Sequence, residues 1–179
     1  MRALFEGKEK IPSISSKLDA FRSLIGGTIS VFVLLLLGQF THNLFIMTPF
    51  GATCVLLYAA SQSPLAQPRN IIFGHLISAF IGLFLLKFFG ISLFTMALSV
   101  DCSIALMQLL QCVHPPAGAT PLLILLTGNH IHYGWDFLIF PVLLGSISLV
   151  IIAHIVNNIK TKQKWPLYGL GLIHSKKNE

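Results

Sequence analysis

Two short strings interrupt the apolar sequence of this chain, and each places a proline and a glycine inside a hydrophobic run. They are Thr48-Pro49-Phe50-Gly51-Ala52-Thr53 and His114-Pro115-Pro116-Ala117-Gly118-Ala119-Thr120. Pro49 matches Pro116 at an offset of 67 positions, and the two Gly-Ala-Thr triplets then align. Because proline suits the first turn of a helix and disfavours helix in the residue before it, each string predicts a helix that begins within the bilayer.

The composition predicts a polytopic membrane protein. Of the 179 residues, 54% are hydrophobic and 10% are charged, whereas a soluble domain carries roughly 25% charged residues. The net charge of +6 does not indicate a nucleic-acid partner, because eleven of the twelve Lys and Arg residues flank apolar segments. Basic residues in that position indicate topology in a lipid bilayer.

The predicted fold is all-α, with six membrane segments. Their expected ranges are Phe21–Phe40, Leu44–Ala60, Ile71–Phe89, Ile91–Val113, Pro116–Thr127 and Phe137–Asn157. With both termini cytoplasmic, eleven basic residues fall inside and Lys87 falls outside, as the positive-inside rule predicts. We expect a bacterial inner (plasma) membrane. Trp165 and Tyr168, just past the last segment, are expected at the membrane interface.

The 67-residue offset extends beyond the two strings and predicts an inverted repeat. Ile72-Phe73 matches Ile139-Phe140, so each half holds three segments. An odd number of segments per half reverses the orientation of the second half. The expected organisation is a cytoplasmic segment 1–19, a transmembrane domain 20–157 with repeats 20–89 and 90–157, and a basic cytoplasmic tail 158–179. Chance similarity between apolar strings is the alternative.

The two broken segments predict an anion site near the membrane midplane. Helices starting at Pro49 and Pro116 would be too short to span the bilayer, so their N-termini would lie at depth. Helix N-termini present unpaired N–H groups and partial positive charge. The expected substrate-binding residues are those of the two strings and of the inner loop: Thr48, Pro49, Gly51, Thr53, His114, Pro115, Pro116, Gly118, Thr120, Arg69 and Asn70. The alternative is two proline-kinked spanning helices packed by small residues.

For several polar residues the sequence is compatible with more than one role. His114 could relay a proton or bind an anion, or could donate to a backbone carbonyl. Asp101 lies within a predicted span and could be functional or face a neighbouring helix or subunit. Arg69 could draw anions in or anchor the topology, and His75 could line the path or be a packing residue. We expect no metal and no cofactor.

The two proline strings and Pro64-Leu65-Ala66-Gln67-Pro68-Arg69-Asn70 resemble the HPP family of integral membrane proteins over roughly residues 20–157. Members of that family from cyanobacteria and chloroplasts are linked to nitrite transport, so the resemblance implies nitrite or a similar small anion as substrate. The family is usually described with four spans, and the count of six includes the two short segments. At the position of Asp101 the resemblance leads us to expect a small apolar residue.

The expected function is a membrane transporter or channel for a small inorganic anion, and the chain is not expected to be an enzyme. One alternative is a membrane-embedded enzyme that uses His114 with Asp101. Another is a structural membrane subunit. The expected partners are the lipid bilayer and a small anion, with a homo-oligomer as a further possibility.

Overall fold

The computed structural model describes residues 15–41, 48–161 and 163–170. Within these ranges the chain forms helices and no strand. The six α-helices are α1 (Lys17–Thr41), α2 (Thr48–Ala59), α3 (Pro68–Phe89), α4 (Leu93–Leu109), α5 (Thr120–Thr127) and α6 (Leu144–Asn157). The expected all-α polytopic fold is confirmed, with one helix in each expected segment.

In the part of the chain that the structure describes, three stretches are long and apolar enough to cross a membrane, namely Lys17–Gln39, Pro68–Phe89 and Trp135–Asn157. Three shorter apolar helical stretches lie between them: Thr48–Ala59, Leu93–Leu109 and Pro115–Thr127. At about 1.5 Å per residue, the 12-residue helix α2 extends about 18 Å and cannot cross a hydrocarbon core of about 30 Å by itself.

The helix after the proline pair begins later than the sequence predicts. Pro115–Ala119 is a 3-10 segment, and the α-helix starts at Thr120 rather than at Pro116. The last segment also differs from the continuous helix expected from Phe137. It starts as a 3-10 turn, Trp135–Leu138, and a π-helical stretch, Ile139–Leu143, before α6. Pro141 lies in that stretch and has no N–H to donate, which disfavours regular α-helix there.

Helices at equivalent positions in the two halves pack on equivalent neighbours. Helix α1 packs on α2 and α6, while α4, its counterpart in the second half, packs on α5 and α3. Exchanging the halves therefore maps these pairs onto each other, as a repeat requires. The core between the helices contains fully buried apolar side chains from α2, α3, α5 and α6: Leu57, Ile71, Leu83, Ile124 and Leu149.

Glycine allows α3 and α5 to pack closely. A Cβ on Gly82 of α3 would lie 2.8 Å from Cα of Pro121 on α5. The outer surface, in contrast, carries large apolar side chains such as Leu93, Phe94 and Phe88. Such a surface suits lipid rather than water.

Candidate functional site

The two proline strings meet at one groove. A cavity of about 420 Å³ is lined by Thr48, Pro49, Ala52, Leu56, Pro115, Pro116 and Ala119. The segment Pro115–Ala119 packs directly on α2. The first string thus contributes the start of a helix and the second contributes a 3-10 segment, and both line the same groove. Among the described residues that line it, none is charged, and Thr48 supplies a hydroxyl.

A cluster of four buried polar side chains lies at the same junction. Thr53, His75, His114 and Thr120 are all 0% exposed. They come from three helices and the turn before the proline pair, and sequence neighbours of three of them, Ala52, Pro115 and Ala119, line the groove. Such burial of polar groups is costly unless they are hydrogen-bonded.

Thr53 is the centre of this cluster. Its Oγ1 lies 2.9 Å from Nε2 of His75 and 2.9 Å from Nε2 of His114. It also lies 3.0 Å from the carbonyl oxygen of Pro49, one turn earlier in α2. A threonine hydroxyl has one proton to donate and two lone pairs to accept with, so Thr53 can donate to only one of these three partners at a time.

Each imidazole has a second partner. Nδ1 of His114 lies 2.9 Å from the carbonyl oxygen of Leu65. A carbonyl only accepts, so Nδ1 of His114 carries a proton and donates it. Nδ1 of His75 lies 3.2 Å from Oγ1 of Thr120. The two imidazole rings pack edge to face, with centroids 5.2 Å apart.

The local backbone explains why His114 reaches this cluster. His114 has extended backbone (φ −134°, ψ 102°), as expected for the residue before a proline. Gly74 on α3 leaves space for it, because a Cβ at Gly74 would lie 2.9 Å from Cβ of His114. The Phe50 ring covers His75 at a centroid distance of 4.8 Å.

Arg69, another expected site residue, donates hydrogen bonds to backbone carbonyls. Arg69 donates from Nε, Nη1 and Nη2 to the carbonyl oxygens of Gln111, Leu170 and Leu110. Two of these carbonyls belong to the end of α4 and the turn after it, where a cation is favourable. These bonds give Arg69 a structural role, and its role as an anion ligand stays a prediction.

Asn70 connects the site to the C-terminal tail. Its Nδ2 donates to the carbonyl oxygen of Val113 at 2.7 Å, and its Oδ1 accepts from the Tyr168 hydroxyl at 2.9 Å. The same hydroxyl donates to the carbonyl oxygen of Pro64. The tail therefore docks on the turn before α3. Trp165, expected at the membrane interface, is instead 1% exposed and donates from Nε1 to the carbonyl oxygen of Ala66.

The two glycines of the strings are not required by close packing. A Cβ on Gly51 or on Gly118 would meet nothing within 4 Å. The neighbours Ala52 and Ala119 line the groove, but the two glycines do not. Their assignment as binding residues stays a prediction. His75, for which the sequence leaves a path role and a packing role open, is the member of the cluster that lies outside the two strings.

Asp101 does not join the cluster. It is exposed on α4, whereas His114 has Thr53 and Leu65 as partners. Within the described residues, no hydrogen bond connects Asp101 with His114. The His114–Asp101 pair of the enzyme alternative is therefore not formed in this structure.

Comparison with known proteins supports the identification of this chain as a membrane protein and places it in a recognised family. The chain matches the HPP transmembrane region over residues 12–166. It is 32% identical over 172 residues to a transmembrane protein of Dictyostelium discoideum, covering 92% of this chain and 55% of that protein. A second Dictyostelium discoideum transmembrane protein is 37% identical over 123 residues, which cover 66% of this chain and 43% of the relative.

The chain thus spans about half the length of the curated relatives it matches. No solved structure matches it. The expected membrane domain, 20–157, lies within the matched range, and the chain belongs to the HPP transmembrane family of integral membrane proteins.

Proposed function

We propose that this protein moves a small monovalent inorganic anion, of which nitrite is the leading candidate, across its membrane. The observation that carries the proposal is the meeting of Pro49 and Pro116 at one groove. Irregular backbone at membrane depth is tolerated where it lines a cavity or is buried in protein. Helix N-termini that face such a cavity attract anions through their N–H groups.

The chemistry of the buried cluster favours an anion over a cation. Hydroxyl and imidazole N–H groups donate hydrogen bonds, and the four side chains include no carboxylate. The groove itself is mostly apolar, so an anion there would interact strongly with nearby dipoles. No fixed buried cation is needed, which avoids its high cost within a membrane. A transporter or channel is therefore favoured over an enzyme.

A nitrite flux measurement in proteoliposomes tests the proposal. Ala119 lines the groove and is exposed, so Ala119→Trp should fill the groove and lower nitrite flux several-fold. Ile151 is exposed on α6 and outside the groove lining, so Ile151→Trp is the matched control. Absence of protein-dependent movement of nitrite, nitrate, formate or bicarbonate would reject anion transport.

We also propose that the protein works as a homo-oligomer. Asp101 is exposed on α4 together with apolar neighbours on the same face, Phe94, Ala97, Ile104 and Ala105. A carboxylate that faced lipid at this position would be costly. A second copy covering this face would remove Asp101 from lipid. The cytoplasmic termini and the bacterial plasma membrane also stay predictions.

A further inference from the structure

Two assignments of hydrogen positions give every donor in the buried cluster an acceptor. In the first, the Thr53 hydroxyl donates to Nε2 of His114, and Nε2–H of His75 donates to Thr53. Thr120 then donates to Nδ1 of His75, and His114 donates from Nδ1 to Leu65. The contacts at 2.9 to 3.2 Å that join these side chains to one another and to Leu65 are all used, the 3.0 Å contact between Thr53 and the Pro49 carbonyl oxygen is not, and both imidazoles are neutral.

The second assignment holds one additional proton on the same heavy atoms. His114 carries a proton on both ring nitrogens and donates to Leu65 and to Thr53. The Thr53 hydroxyl turns to the carbonyl oxygen of Pro49, 3.0 Å away, and its two lone pairs accept from both histidines. All donors again have acceptors, because Pro49 gives Thr53 an alternative partner.

We propose that the Thr53–His75–His114 cluster is a proton-binding site, and that the protein carries one proton together with each anion. This inference rests on the proposed anion transport and adds its coupling ion. The proton adds to Nε2 of His114 from water on the side of uptake. It leaves from the same nitrogen on the side of release, so the cluster returns to its neutral form and charge is balanced.

The position of the cluster explains the coupling. His114 and Thr53 are next in sequence to Pro115 and Ala52, which line the groove. A cation on His114 and an anion in the groove stabilise each other strongly where water is excluded. Either ion alone would be a single charge at membrane depth, which is unfavourable. Binding of both together is therefore favoured over binding of one.

The described titratable side chains around the two histidines do not form hydrogen bonds with the imidazoles, so the additional proton is assigned to the histidine pair. Titratable and charged side chains on the elements around the pair are Cys54 and Tyr58 on α2, Arg69 and Lys87 on α3, Asp101 and Cys102 on α4, His154 on α6, and Cys112. Tyr58 hydrogen-bonds to Ser30, and Arg69 donates to backbone carbonyls. Among the described residues, none of these side chains hydrogen-bonds to either imidazole. The 5.2 Å separation of the two rings disfavours a second proton on the pair.

The test follows lumenal pH in proteoliposomes that contain a trapped pH dye and receive external sodium nitrite. Valinomycin and potassium set the membrane potential, and protein-free liposomes give the background from nitrous acid diffusion. We expect protein-dependent acidification of one proton per nitrite, at a rate that does not change with membrane potential. Lowering external pH should raise the rate of nitrite uptake.

Two substitutions of Thr53 distinguish the role of its hydroxyl in proton binding from the role of its side chain in packing. Thr53→Val keeps the shape but removes the hydroxyl, and should abolish protein-dependent acidification. Thr53→Ser keeps the hydroxyl and should retain it. His114→Gln, whose side chain cannot take up a proton, should behave as Thr53→Val, while His132→Gln in an exposed loop should match the wild type. Size-exclusion profiles in detergent establish that each variant is folded.

The outcomes distinguish the two proposals. Nitrite uptake without acidification, at a rate that follows the membrane potential, overturns the proton site and leaves anion transport in place. Acidification that persists in both Thr53→Val and His114→Gln also overturns it. No protein-dependent nitrite uptake at any pH from 5.5 to 7.5 rejects the proposed function and the proton coupling with it.

Discussion

Gly74 lies directly against His114: a Cβ at residue 74 would be 2.9 Å from Cβ of His114 and 3.3 Å from the carbonyl oxygen of Cys112. The His114 ring is fixed on its other sides by Thr53 and Leu65. A side chain at position 74 would therefore displace the histidine or separate α3 from the turn before the proline pair. Glycine is needed at position 74 because it has no side chain and leaves room for His114, and not because of its backbone flexibility.

Gly74→Ala should lower nitrite flux strongly and destabilise the protein by about 1–3 kcal/mol, the usual cost of overpacking a filled site. Thermal unfolding in detergent and proteoliposome flux measure the two effects. Gly27→Ala on α1 is the matched control, because a Cβ at Gly27 meets nothing within 4 Å. Equal stability and flux of the two variants would contradict the tight contact at Gly74.

Thr120→Val should lower nitrite flux at every pH. The substitution keeps the side-chain shape but removes the hydroxyl 3.2 Å from Nδ1 of His75. Loss of one partner from a buried pair costs about 1–3 kcal/mol, so we expect a reduction of several-fold or more. Thr28→Val, at an exposed position on α1, is the control. Wild-type flux in Thr120→Val would mean that this hydroxyl does not contribute to the site.

Tyr168→Phe should loosen the docked tail. The single proton of the Tyr168 hydroxyl is shared between the Pro64 carbonyl oxygen and Oδ1 of Asn70, and removal of such a bond costs about 0.5–1.5 kcal/mol. Burial raises the pKa of the Tyr168 phenol. Because only the neutral phenol donates, its contribution is complete below the ordinary tyrosine pKa of about 10 and is lost as pH rises through the raised value.

Unfolding temperatures measured at pH 7.5 and pH 11 test the role of the phenol. The wild type should be more stable than Tyr168→Phe at the lower pH, and the difference should shrink at the higher pH. A difference that is unchanged between the two pH values would contradict a neutral, donating phenol in the docked tail.

The helix breaks were predictable because their cause is local. Proline acts on its own residue and the one before it, so α2 starts at Thr48 and the second break starts at Pro115. The same local chemistry identified Thr53, His114 and Thr120. The contribution of His75 was not predictable from the strings, because it depends on how α3 packs on α2 and α5.

Two further residues show the limit of local reasoning. An aromatic residue after a membrane helix has the same sequence context whether it faces lipid headgroups or docks on the protein, and Trp165 does the latter. A basic residue at a helix start could face an anion or a neighbouring carbonyl, and Arg69 contacts three carbonyls. Only tertiary contacts separate these alternatives.

The topology is tested by cysteine labelling of exposed positions. His132→Cys should react with an impermeant maleimide from outside, and Gln163→Cys only after the cells are permeabilised. Cys54 and Cys112 are buried, so replacing Cys102 by alanine gives a suitable background. Labelling of both introduced cysteines from one side of intact cells would reject a cytoplasmic C-terminus with an external loop at residue 132.

The oligomer is tested by steric substitution on the exposed face of α4. Ala105 is exposed on the same face as Asp101, so Ala105→Trp should separate two copies that pack there, because a large ring prevents close approach of helices that associate through small residues. Mass measurement in detergent should then give a monomer. Ile151→Trp on the exposed face of α6 should keep the wild-type mass, since tryptophan is tolerated next to lipid. A wild-type protein that is monomeric in both detergent and lipid nanodiscs would reject the oligomer.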